Sequence, residues 1–123
     1  MTRVVYAVES WALFAFGVLH SAATPSRYSA VSSGALWFFS GGVLIMLVAT
    51  LNLLNRTYGA GAPGLRRVCV AANVVNLGLA VVGGVVGHAR LVEWVIVLAI
   101  VVPLTILSAL PRASRVKGSP GVP

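Results

Sequence analysis

Acidic side chains are nearly missing from this chain. It has no aspartate and two glutamates, Glu9 and Glu93, against nine lysines and arginines. Only Glu9 interrupts a long apolar run, which excludes a relay of several intramembrane carboxylates and a di-metal carboxylate centre. Cysteine is reduced to Cys69, so no internal disulfide can form, and the thiol reads as a small packing residue. Charge of either sign is scarce: 9% of residues, where soluble domains carry about 25%. Strict polar–apolar alternation is also missing from runs such as VLIMLVATLNLL and VIVLAIVVPLTIL, which excludes a membrane β-barrel.

What remains is apolar and helical. Hydrophobic residues make up 59% of 123 positions, with a mean hydropathy of +0.97. The intervals 28–55, 68–89 and 94–111 carry no charge, and 4–26 is broken only by Glu9. Each holds the ~20 residues that cross a ~30 Å hydrocarbon core. The expected fold is an all-α membrane protein: a four-helix transmembrane bundle, up-down-up-down, with helices at about 4–23, 33–54, 65–87 and 92–110. Residues 1–110 form one domain, followed by a basic, disordered tail over 111–123.

The basic residues set the expected orientation. Arg3, Arg56, Arg66, Arg67, Arg112, Arg115 and Lys117 fall on one side and Arg27 and Arg90 on the other. A seven-to-two bias predicts that both termini and the middle loop are cytoplasmic, in a cell (inner) membrane, with the cationic side resting on anionic lipid headgroups. Basic residues that punctuate spans do not make a nucleic-acid surface. A cleaved leader is the competing reading of the N-terminus, since SAAT offers small residues, but Glu9 interrupts the apolar segment it would need. Asn55-Arg56-Thr57 matches a glycosylation triplet on the wrong side of the membrane. GAGAPG lacks the Gly-Lys-Ser/Thr ending of a phosphate loop.

Glu9 and His20 lie eleven positions apart in the first span. They therefore point the same way on a helix, about 16 Å apart along its axis. In the second span Gly34, Gly41, Val48, Asn52 and Asn55 share a face. In the third, Cys69, Asn73, Asn76, Ala80, Gly83 and Gly87 recur at steps of four, three, four, three and four. Small residues at that spacing let another backbone approach closely, so Gly41, Ala80, Gly83 and Gly87 are expected to carry helix packing. Packing within the bundle is the main expectation, and a membrane-protein partner or a second copy the alternative. Pro103 is expected to kink the fourth helix.

Two groups of residues bear on chemistry. Glu9, Asn52, Asn73 and Asn76 share the expected inner leaflet, where amides bonding across helices would hold a protonated Glu9, or Glu9 would serve as a proton or cation site. At the other end, His20, His88 and Glu93 are the candidate ligands for a divalent metal or a haem. No HxxxH spacing ties them together, and no cofactor is expected.

Four short spans with one embedded glutamate in the first make the chain similar in outline to the small multidrug resistance transporters. That resemblance implies a role for Glu9 in binding protons or cationic solute within an antiparallel dimer. It is a likeness of architecture, and Glu9 is the one residue it carries across. The expected function is that of a non-enzymatic accessory or binding module, with a proton-coupled carrier as the alternative.

Overall fold

The computed structural model describes residues 1–113. Four helices among them are long and apolar enough to cross a membrane: α1 (Thr2–Ala22), α3 (Ser33–Tyr58), α4 (Pro63–Val86) and α5 (Leu91–Ala109). A single helical turn, α2 (Thr24–Arg27), follows α1, and a 3-10 turn, η1 (Pro111–Ala113), closes the described chain. Large apolar side chains project outward from all four long helices, among them Val4, Trp37, Leu47, Val82 and Ile96. In water that surface would drive aggregation; in lipid it is the required exterior. The protein is a multi-pass membrane protein built as a four-helix bundle.

Local chemistry explains the ends. Ser32 Oγ accepts from the Ala35 N–H at 3.1 Å and opens α3. Pro63 starts α4, where its missing N–H costs nothing. Glu93 accepts from the Arg90 N–H at 2.8 Å and opens α5. His88, with φ 51°, takes the left-handed conformation that turns the chain between α4 and α5. Helix α3 runs four residues past its expected end, which brings Asn55 into the core. Helix α5 continues through Pro103. Of the segment expected to be a disordered tail, Pro111–Ala113 is ordered and Ala113 is fully buried; 114–123 lie outside the described residues.

Burial is unevenly shared. In α1 it follows one stripe along the whole helix, Tyr6, Ser10, Leu13, Gly17 and Ser21. In α4 it is confined to Cys69, Asn73 and Asn76, with none beyond residue 76, and in α5 to Val101, Leu104 and Ser108, in the second half. The α1–α3 pair is thus packed along its length, while α4 and α5 join it closely at one end only.

The tightest helix approach does not use the glycines expected for it. A Cβ on Gly17 would lie 2.8 Å from the Gly42 carbonyl oxygen, and one on Gly42 would lie 2.7 Å from the Gly17 oxygen. Gly41, one residue away, has ordinary room beside the His20 imidazole. A Cβ on Gly83 would touch nothing within 4 Å, whereas one on Gly84 would run into the Trp94 ring. The reason is angular: one residue turns the helix by about 100°, so neighbours in a glycine pair serve different faces.

Candidate functional site

At the end where all four helices converge, a polar knot replaces apolar core. The Tyr6 hydroxyl donates to Asn52 Oδ1 at 2.9 Å and accepts from Asn55 Nδ2 at 2.9 Å. Asn52 and Asn73 pair amide to amide, each Nδ2 donating to the other's Oδ1 at 2.9 Å. Asn55 Nδ2 also reaches the Ser108 carbonyl at 3.2 Å, and the Cys69 thiol donates to Asn52 Oδ1 at 3.4 Å. Tyr6, Asn52, Asn55, Cys69 and Asn73 are all fully buried. Hydrogen bonds thereby join α1, α3, α4 and α5 where no water competes for them. The knot holds no carboxylate, and nearly all its donors are spent within it; its chemistry is that of a fastener.

Of the residues expected to meet here, Asn52 and Asn73 do. Glu9 does not: it is half-buried and forms no hydrogen bond or ion pair among the described residues. It lies one position before Ser10, about 100° off the buried stripe of α1. His20 lies likewise one position before Ser21. Their shared side is the flank of the helix, and the place expected for Glu9 is taken by Tyr6. The signal that would have found Tyr6 is the 6, 10, 13, 17, 21 stripe, with a hydroxyl at both ends.

Away from the knot, the α1–α3 pair and the α4–α5 pair part around a cavity of about 780 Å³. Its volume falls in the range that holds a small molecule. Asn76 reaches it from the knot side, and Ala80, Gly83, Gly84 and Gly87 run up one wall. The small-residue face of α4, expected to meet another helix, therefore faces open space over much of its length. Phe16, Phe38, Trp37 and Trp94 supply aromatic lining, with aliphatic side chains such as Leu44, Leu79 and Val97 beside them. At the far end stand His20, Arg27, Tyr28 and Glu93. The His20 imidazole stacks on Phe38 with ring centroids 4.1 Å apart and planes 19° from parallel, and the Arg27 guanidinium sits 5.7 Å from the same ring's centroid.

Two side-chain groups here lack hydrogen-bond partners among the described residues: Asn55 Oδ1, sealed inside the knot, and the Asn76 amide, which lines the cavity. Only 5% of Asn76 is exposed. Its polar atoms keep accessible surface toward the cavity, and an apolar occupant that sealed them off without bonding them would cost about 1–3 kcal/mol. The candidate metal ligands are not assembled: no group of three His, Cys, Asp or Glu side chains lies together among the described residues. His88 is exposed on its turn, and the Glu93 carboxylate is engaged by the Arg90 N–H.

No protein-family model, curated protein or solved structure matches this chain.

Proposed function

We propose that this chain is a non-enzymatic binding module of a cell (inner) membrane, and that the space between its two helix pairs takes a membrane-soluble molecule. In this reading the bundle runs up-down-up-down with both termini in the cytoplasm. The knot then lies in the inner leaflet, against anionic headgroups, and the cavity in the outer. The seven-to-two distribution of basic residues supports that orientation. The observation that carries the reading is the cavity itself, about 780 Å³ with a buried amide at its base. An apolar space of that size opening toward a bilayer does not stay empty, and its lining gains dispersion contacts from whatever fills it.

A second reading, a proton-coupled carrier with Glu9 as its protonation site, draws on one feature: an acid inside a span with no partner among the described residues. Glu9 does not line the cavity, which favours the first reading. Native mass spectrometry of the protein extracted from its own membranes tests both. A single small-molecule adduct is expected on the wild type and on Glu9→Gln, and is expected to be lost in Gly83→Leu, whose side chain extends into the cavity from a wall with nothing in its way. An adduct that survives Gly83→Leu would refute the cavity reading. In proteoliposomes Glu9→Gln should leave proton flux unchanged; an abolished substrate-dependent flux would establish the carrier.

A further inference from the structure

We propose that the occupant enters head first and that its head is an uncharged group able both to give and to take a hydrogen bond, a carboxamide being the closest complement, carried on an apolar chain. This rests on the reading of the cavity as a binding site and adds the chemistry of what it binds.

Three observations fix that chemistry. First, Asn76 offers an acceptor and a pair of donors at the base of the cavity, and nothing in the described protein uses either. One turn away, Asn52 and Asn73 display how such an amide is satisfied in this interior: by a second amide, pairing donor to acceptor twice. Second, the base contains no charged side chain. The charged groups of the lining, Arg27 in α2 and Glu93 in the first turn of α5, belong to the far end. A charged head placed against Asn76 would be buried without a counter-ion, so the head is neutral. Third, the wall from Asn76 to Gly87 spans eleven residues, about 16 Å at the helical rise, and beyond Leu79 is built from alanine and glycine. Glycine at 83 is not needed for any protein contact, since a Cβ there meets nothing within 4 Å. A smooth channel of that length suits an extended chain, with the aromatic rings closing its other sides. The reverse orientation, with an anionic head at Arg27 and a chain end at the base, would leave the Asn76 amide unbonded.

The test uses three photoactivatable probes with one chain: hexadecanamide, N,N-dimethylhexadecanamide and hexadecanesulfonate. The second keeps the acceptor and lacks the donors, and the third is anionic. Each is titrated into proteoliposomes of the full-length protein, with saturable labelling read out by mass. Hexadecanamide is expected to bind at least about fivefold more tightly than its dimethyl form, the ratio that about 1 kcal/mol of hydrogen bonding supplies. Asn76→Leu should erase that ratio and leave the residual binding of both. It breaks no bond in the described protein, so its melting temperature should equal or exceed that of the wild type. Gly83→Leu should abolish saturable labelling by all three. Equal binding of the two amides to the wild type, or tightest binding of the sulfonate, would overturn the assignment of the head while leaving the cavity as a binding site. Saturable labelling that persists in Gly83→Leu would overturn both.

Discussion

Asn52→Ala is expected to lower the unfolding free energy by about 3 kcal/mol, measured by reversible denaturation in mixed micelles and followed by circular dichroism. An interhelical hydrogen bond in a membrane protein is worth about 0.6 kcal/mol on average, so the loss of one contact would not reach that figure. Asn52 accepts from Tyr6, Asn73 and Cys69 and donates to Asn73 and to the Val48 carbonyl. Its removal takes away the acceptor of the Tyr6 hydroxyl and the donor to Asn73 Oδ1, both fully buried, while Asn73 Nδ2 keeps the Cys69 carbonyl. Each orphaned group costs about 1–3 kcal/mol. Tyr6→Phe removes two bonds of the same network, but Asn52 Oδ1 keeps Asn73 and Cys69 and Asn55 Nδ2 keeps the Ser108 carbonyl, so it should cost about 1 kcal/mol. If Asn52→Ala proves no more costly than Tyr6→Phe, the knot does not act as a unit.

Gly42→Val should be at least as damaging, for a steric reason. A Cβ at Gly42 would come within 2.7 Å of both the Gly17 oxygen and the Ser21 nitrogen, besides the Ser21 hydroxyl. Backbone atoms of a packed helix cannot rotate away, so α1 and α3 must separate along the one interface packed over its full length. The expected cost is about 3 kcal/mol or more, seen as a collapsed melting temperature or as loss of the protein from membranes. Gly83→Val is the control, with open space around its Cβ and a change expected within about 0.5 kcal/mol. Equal effects of the two substitutions would mean that α1 and α3 are not in contact where the structure joins them.

The four spans were legible in the sequence because lipid demands long uncharged intervals, and such intervals leave few alternatives. Asn52 and Asn73 were legible for the same reason, as amides stand out in an apolar run. Tyr6 was not, because a tyrosine near a span boundary reads equally well as an interfacial aromatic. Glu9 received too central a place: helical periodicity fixes the angle between Glu9 and His20 but not which side of α1 meets its neighbours. The small-residue stripe of α4 was expected to meet another helix, and much of it lines the cavity instead, because whether such a face meets a helix or open space depends on where α1 and α3 stand. The glycine pairs at 41–42 and 83–84 show the same limit, since adjacent glycines differ by about 100° and only the partner helix decides which one is crowded.

The proposed orientation turns the knot toward the cytoplasm and the cavity toward the outside. The most direct test labels single cysteines placed at Val31, fully exposed between α2 and α3, and at Gly61, exposed between α3 and α4. Both are introduced on a Cys69→Ala background. With a membrane-impermeant maleimide, the residue-31 cysteine should react in intact spheroplasts, and the residue-61 cysteine only in inverted vesicles. Reaction of both positions from the same face would contradict it.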